Sequence, residues 1–331
     1  MKRVMITGWA GFIGSNLCRM ILKEMPEWEI HGVDSHTYAA RPDWVTSMVL
    51  GLRPKDRLRF IDYPKLDLFH RDLVAAAMDV IKPDIIIHLA AESHVCRSVE
   101  GPRAFLRANV VGTFNLLEAA RESGFKGIFH HVSTDEVYGE AEIGDPFHEG
   151  GPYKPRSPYA ASKAASDHFV QAYHHTYGLD TRMTNCSNNF GPNQHEEKLI
   201  PKTILALLNE KPVTLYGSGS QVRDWIWVED HCRGILAAIE NGEPGGRYLL
   251  GGDLQKTNRE IVEAVAQAAK EVLEAESLPY SIEYTNDRPS DDQRYAIDCS
   301  LAKATLAWSP APGLFHRRLV EAVSWYAERM K

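Results

Sequence analysis

The sequence predicts an α/β protein: a doubly wound parallel sheet joined to a smaller C-terminal α/β substrate-binding lobe. Three observations carry this. Short apolar runs alternate with helix-length amphipathic stretches through the first half. A glycine triplet closes the first run and opens the first helix. Beyond residue 187 the alternation gives way to loop chemistry, with Asn188-Asn189-Phe190-Gly191-Pro192-Asn193 followed by recurrent Pro and Gly.

Residues 4–7, 30–34, 58–62, 84–90, 127–133 and 181–187 read as strands. Residues 14–23 and 105–122 carry helical apolar spacing, which puts crossovers on both faces of the sheet. A further helix starts at Pro158, with Ser157 as N-cap and Gly178 as C-cap. Residues 1–187 are therefore assigned to the first domain and 188–331 mainly to the second lobe. Residues 222–240 read as strand then helix and are expected to rejoin the first domain. Two long helices near 258–275 and 314–329 belong to the second lobe.

The chain has 331 residues, 44% hydrophobic and 24% charged, with a formal charge of −7. No basic tail or basic helix is present, which argues against a nucleic-acid partner. The longest apolar run, residues 85–91, is too short to span a membrane. The sequence runs straight into Val4-Met5-Ile6 with no leader pattern. Five widely spaced cysteines (Cys18, Cys96, Cys186, Cys232, Cys299) without a CxxC read as reduced thiols of a cytoplasmic protein. His130-His131 and His174-His175 lack a third ligand at metal spacing, so no metal is expected.

Gly8-x-x-Gly11-x-x-Gly14 permits a tight turn and close backbone approach, and the helix it opens, through Phe12 and Ile13, can hold a pyrophosphate. Asp34 ends the second strand, where an acidic side chain hydrogen-bonds ribose hydroxyls and repels a 2′-phosphate. NAD is thus expected over NADP. Asp67 and Leu68 follow the third strand and are candidates for the adenine. Tyr159 and Lys163 lie four apart on one helical face, so the ammonium is expected beside the phenol, lowering its pKa for alcohol deprotonation. Asp135 and Glu136 follow the fifth strand at its carboxyl end, where parallel sheets bind ligands. A plain alcohol dehydrogenase does not need this second acid/base pair, and it points to oxidation coupled to elimination.

The glycine motif, His88-Leu89-Ala90-Ala91 and Tyr159-x-x-x-Lys163 together resemble the extended short-chain dehydrogenase/reductases, whose sheet is Rossmann-like. Within them the chain resembles the dTDP-glucose 4,6-dehydratases. Matching stretches include Glu92-Ser93-His94-Val95, Thr134-Asp135-Glu136, Asn188-Asn189, Lys198-Leu199-Ile200-Pro201, Arg223-Asp224-Trp225 and Arg294-Tyr295-Ala296. The acidic pair is the specific part: the related 4-epimerases lack both acids, and the UDP-glucuronate decarboxylases typically have Ser at the first position.

The resemblance implies tightly bound NAD and a lyase reaction in deoxysugar biosynthesis. Tyr159, aided by Lys163, takes the sugar O4 proton as the C4 hydride passes to NAD. Glu136 takes the C5 proton, Asp135 protonates the departing C6 hydroxyl, and the hydride returns to C6. Asp135 must then be protonated while Glu136 is ionised. Thr134 donates to O4. The resemblance also implies cofactor contacts at Ala91, Ser93 and Asn189. It puts substrate contacts at Ser93, Thr134, Asn188, Lys198, Leu199, Arg223 and Asn258, with Arg288 and Arg294 as further candidates. Arg223 is expected to clamp the diphosphate, the alternative being an ion pair with Asp224 or Glu229. The helices at 105–122 and around Tyr159 imply a homodimer.

The chain departs from the pattern at Trp9, Cys96, Ala108, Asn193, Glu196, Ser290 and Asp291. These leave the nucleotide and sugar open: a GDP-, CDP- or UDP-sugar dehydratase, an epimerase or a decarboxylase are alternatives. An NAD-sensing binding module is the alternative of another class.

Overall fold

The computed structural model describes residues 1–286 and 292–330. Twelve strands are numbered along the chain. The first six are β1 (Lys2–Thr7), β2 (Trp28–Asp34), β3 (Phe60–Pro64), β4 (Ile85–His88), β5 (Ile128–Thr134) and β6 (Thr181–Cys186). The others are β7 (Asn188–Phe190), β8 (Val213–Tyr216), β9 (Val222–Trp227), β10 (Arg247–Leu250), β11 (Gln255–Thr257) and β12 (Ile282–Thr285).

One seven-stranded sheet runs β3-β2-β1-β4-β5-β6-β10, with every pairing parallel. Its central strands are buried on both faces, as crossover helices require, while the edge strand β3 is partly exposed. Val4, Ile6, Ile85 and Ile87 face one core with Leu17 and Ile21 of helix Phe12–Glu24. Met5 and Ile86 face the other with Val74, Ile81, Leu116 and Val170. The strand order reverses between β1 and β4, which opens a crevice at their carboxyl ends.

The second lobe carries two small sheets, β11-β9-β7 and β12-β8. Ile204, Val213, Leu215, Val265, Leu319 and Val323 form its core. Helix Asn258–Val272 starts from a reciprocal cap, with Thr257 Oγ1 accepting from the Glu260 amide at 3.1 Å and Glu260 from the Thr257 amide at 2.7 Å.

The expected parallel α/β sheet is present, with four local differences. The third strand starts at Phe60, because Leu58 turns out, 74% exposed, at the end of the short helix Pro54–Arg57. Residues 222–240 divide: β9 pairs with β7 and β11, while helix Val228–Asn241 packs Cys232, Ile235 and Ile239 against Leu17 and Ile21. Beyond residue 187, β10 also returns to the main sheet, where buried Tyr248, Leu249 and Leu250 extend it beside β6. The helix expected at 105–122 begins at Pro102 and contains a π-type turn, Leu106–Val111, beside the crevice.

Candidate active site

At the reversal, Gly8, Gly11, Asp34, Asp67, Leu68 and Ala91 line one cleft. Gly8 has φ +76°, and a Cβ there would stand 2.6 Å from the Ala90 nitrogen. A Cβ on Gly14 would meet the Gly8 carbonyl at 2.2 Å. Only glycines let these backbones meet, which brings the first turn of helix Phe12–Glu24, with Phe12 and Ile13, against the loop. The Asp34 carboxylate is fixed by two amides, Ala10 at 3.0 Å and His36 at 2.7 Å. A backbone cradle at a helix N-terminus beside an anchored carboxylate fits a dinucleotide. Asp67 is occupied in part, accepting from Arg107 at 2.8 Å and from the Phe69 amide at 2.9 Å. Ala108 lines this cleft too. Trp9 lies beneath it, fully buried against Gly32, with its indole donating to Asp62 at 3.0 Å.

The carboxyl end of β5 runs into a short 3-10 turn, Asp135–Tyr138. Thr134 caps that turn, accepting from the Glu136 amide at 3.3 Å. Asp135 is 2% exposed, with Oδ1 accepting from the Thr134 hydroxyl at 3.3 Å and Oδ2 lacking any hydrogen-bond partner. Burial, then the neighbouring Glu136 and Asp224 charges, holds its pKa well above the usual carboxylate range. Asp135 is thus the carboxyl that keeps its proton, while Glu136 lines a second cleft.

Tyr159 lies behind this pair, buried against the Thr134 side chain. Its relation to Lys163 corrects the sequence expectation. The Lys163 ammonium donates to the Val132 carbonyl at 2.8 Å and lies 3.4 Å from His131 Nε2. Burial and the Glu136 charge hold the Tyr159 phenol well above its ordinary pKa. Helical spacing puts the two side chains on one face; a long lysine stem then goes to the strongest acceptor within reach.

The second cleft is lined by Ser93, Glu136, Asn188, Lys198, Leu199, Arg223 and Asn258. Asn189 faces this cleft rather than the first, and its Oδ1 lies 2.9 Å from His231 Nδ1. Lys198 donates to the Ser93 carbonyl at 2.9 Å. Arg223 is 5% exposed, stacks on Tyr295 with 4.2 Å to the ring centroid, and donates to the Val222 and Asp292 carbonyls, each at 2.8 Å. Asp224 is held by Ser187 and the Gly252 amide at 3.0 and 2.6 Å. Arg294 turns away to the Glu142 carbonyl and to Gln255 Oε1 at 2.7 Å. Arg288, Ser290 and Asp291 lie outside the described residues.

Cys96 lines the second cleft. Asn193 adopts φ +67° and donates to Ser15 at 2.8 Å, and Glu196 pairs with Arg41 at 3.8 Å. Sequence reasoning missed Tyr295, Lys202 and Tyr216 of this cleft, Arg107 of the first, and the buried Asp167 beside Lys163. Asp167 had a signal: it lies four residues after Lys163, on the same helical face. Among the described residues no cluster of three or more His, Cys, Asp or Glu is arranged to hold a metal.

A family model described as GDP-mannose 4,6 dehydratase matches residues 5–316. The dTDP-glucose 4,6-dehydratase of Haemophilus influenzae is 40% identical, over 98% of this chain and 98% of its own. The dTDP-glucose 4,6-dehydratase 1 of Escherichia coli is 39% identical over 99% and 94%. DesIV, a dTDP-glucose 4,6-dehydratase from Streptomyces venezuelae solved with NAD bound, has a TM-score of 0.88 and 41% identity, covering 98% and 97%. A UDP-glucose 4-epimerase from Thermus thermophilus, also with NAD, has a TM-score of 0.85 at 30% identity over 98% and 99%. The fold is thus common to dehydratases and epimerases, while the identity is higher with the dehydratases, 39–41% against 30%. The chain belongs to the dTDP-glucose 4,6-dehydratase family of extended short-chain dehydrogenase/reductases.

Proposed function

We propose that this protein is an NAD-dependent lyase that converts dTDP-glucose to dTDP-4-keto-6-deoxyglucose. The observation that carries this is the split between Asp135, buried with its pKa pushed well above the carboxylate range, and Glu136, which lines the substrate cleft. Elimination needs one acid and one base, and an environment that pushes two adjacent carboxyls apart supplies both.

Gly8, Gly11, Gly14 and Asp34 hold the NAD pyrophosphate and ribose, with Phe12, Ile13, Asp67, Leu68 and Ala91 around them. When bound, NAD supplies the acceptor for the C4 hydride and its later donor to C6. Tyr159 takes the O4 proton, in the field of Lys163, while Thr134 donates to the same oxygen. The resulting ketone acidifies the C5 proton, which Glu136 removes. Asp135 gives its proton to the C6 hydroxyl as water leaves. Arg223 and Lys198 bring positive charge to the diphosphate, and Ser93, Asn188, Asn189, Leu199 and Asn258 orient the nucleotide-sugar.

We place residues 1–187, with helix Val228–Asn241 and β10, in the NAD-binding unit. We also propose a homodimer through the helices carrying Leu106, Phe114 and Phe169, which are 57%, 37% and 37% exposed. No described helix is long and apolar enough to cross a membrane, and five free cysteines suit the reducing cytoplasm.

The test is dTDP-glucose deuterated at C4. The expected product has lost one water and carries the deuterium at C6. A product without deuterium at C6, or no water loss from this substrate, overturns the reading.

A further inference from the structure

Lys163, His131 and Asp167 form a buried row, 4%, 1% and 0% exposed. His131 Nε2 stands between them, 3.4 Å from the Lys163 ammonium and 3.2 Å from Asp167 Oδ1. Asp167 Oδ2 is filled by three donors: Ser133 at 2.9 Å, Tyr153 at 2.6 Å and Asn185 at 3.3 Å. Those donors hold the carboxylate in place, and Oδ1, without a hydrogen-bond partner, faces His131 Nε2. No step of the proposed reaction uses Asp167 or His131.

A buried ammonium without a counter-ion loses its proton. Other titratable groups surround this row. The His88 ring lies 5.2 Å from the His131 ring, and Cys186 is near the ammonium. Tyr138 is packed on Tyr153, whose ring is covered by the Arg247 guanidinium at 4.8 Å. Glu136 and Asp135 lie on the Tyr159 side. Burial lowers the Lys163 pKa, and the Asp167 charge is the largest influence opposing it. Burial raises the Asp167 pKa, but His131, Lys163 and Tyr153 outweigh it and leave the group below its ordinary range.

We infer that Asp167, across the His131 ring, is the counter-ion that keeps Lys163 charged at its place on the Val132 carbonyl, a positioning role. The inference rests on the dehydratase reading only for what that charge is used for. Tyr159, Lys163 and Asp167 follow at four-residue intervals on one helix, so base, cation and counter-ion share one rigid face.

The test uses the NAD-loaded protein carrying ¹³C at lysine Cε. The Lys163 signal is identified by its loss in Lys163→Met, and its titration is followed by NMR. In Asp167→Asn the Lys163 midpoint is expected to fall by about one pH unit or more, with Asp167→Glu restoring most of the shift. An unchanged midpoint in folded Asp167→Asn overturns the inference. If that variant does not fold, ¹³Cγ-labelled aspartate in the unsubstituted protein decides it, with the Asp167 signal identified by its loss in Asp167→Glu. An ionised Asp167 at neutral pH is expected, and a protonated one overturns the inference. Absence of turnover with dTDP-glucose would sink the dehydratase reading and leave the titration result standing.

Discussion

Asp135 and Glu136 are neighbours in the chain and opposites in environment: Asp135 is buried, and Glu136 lines the substrate cleft. The 3-10 turn after β5 makes the difference, because successive residues of a tight turn point in different directions. A carboxyl whose folded pKa is raised binds its proton more tightly folded than unfolded. Its effect on stability is therefore unfavourable above the unfolded pKa, and the penalty grows as pH rises toward the folded value.

Asp135→Asn tests that relation twice. Without the acid, water loss should slow more than C4 oxidation, by roughly a hundredfold to ten-thousandfold. Removing the buried titratable group should also raise Tm at neutral pH, by about 2 °C or more. Stopped-flow detection of NADH against product formation reads the first effect and thermal denaturation the second. An unchanged elimination rate removes Asp135 from the acid role.

Tyr159→Phe removes the phenol and leaves the aromatic packing on Phe105, whose ring centroid is 6.3 Å away. C4 oxidation should fall by roughly a hundredfold or more while dTDP-glucose binding persists. Single-turnover NADH formation checks the first and calorimetric titration the second. Full activity in this variant sinks the base assignment.

Gly14→Ala should empty the cofactor cleft. Its Cβ would meet the Gly8 carbonyl at 2.2 Å, a backbone atom that cannot swing aside, so the helix N-terminus must back away. NAD released on acid quench should drop well below one per chain, whereas Gly51→Ala, with nothing within 4 Å, should retain it. Equal NAD content in both variants would remove this loop from cofactor binding.

How much of this was legible in the sequence follows from the range of the interactions. The Gly8–Gly14 loop, Asp34 and the cap of the Tyr159 helix are local, and the chain spells them within a few residues. The direction of the Lys163 stem was not legible, because its acceptor, the Val132 carbonyl, lies 31 positions away on a strand. Asp167 carried helical spacing but no sign of burial, which comes from Ser133, Tyr153 and Asn185 on three other segments. The return of β10 to the main sheet is equally non-local: a four-residue apolar run does not name its partner strand.

Four buried histidines weaken the fold in acid. Burial pushes the pKa of His130 down to about 3, His131 to about 4 and His231 to about 3, and holds His88 well below its ordinary value. His130 Nε2 lies 3.1 Å from Thr184 and His231 Nδ1 2.9 Å from Asn189, contacts that suit neutral rings. Above the ordinary value of 6.5 both folded and unfolded states are neutral and nothing changes. Below it the unfolded chain takes up protons that the folded chain refuses. Stability then falls by roughly 1.4 kcal/mol per histidine per pH unit until the folded values are reached. Against a typical total of about 5–15 kcal/mol, several such groups remove a large share of the stability near pH 5. Asp135, Asp34 and Asp224, whose pKa values burial raises, work in the opposite sense and offset part of this loss. Tm should therefore drop steeply between pH 6.5 and 4. In His231→Gln, whose amide can still donate to Asn189, the slope should be shallower by one histidine's share, roughly 1.4 kcal/mol per pH unit. A slope identical to that of the unsubstituted protein would mean that His231 is already charged in the folded state, and that burial at this position does not exclude the proton.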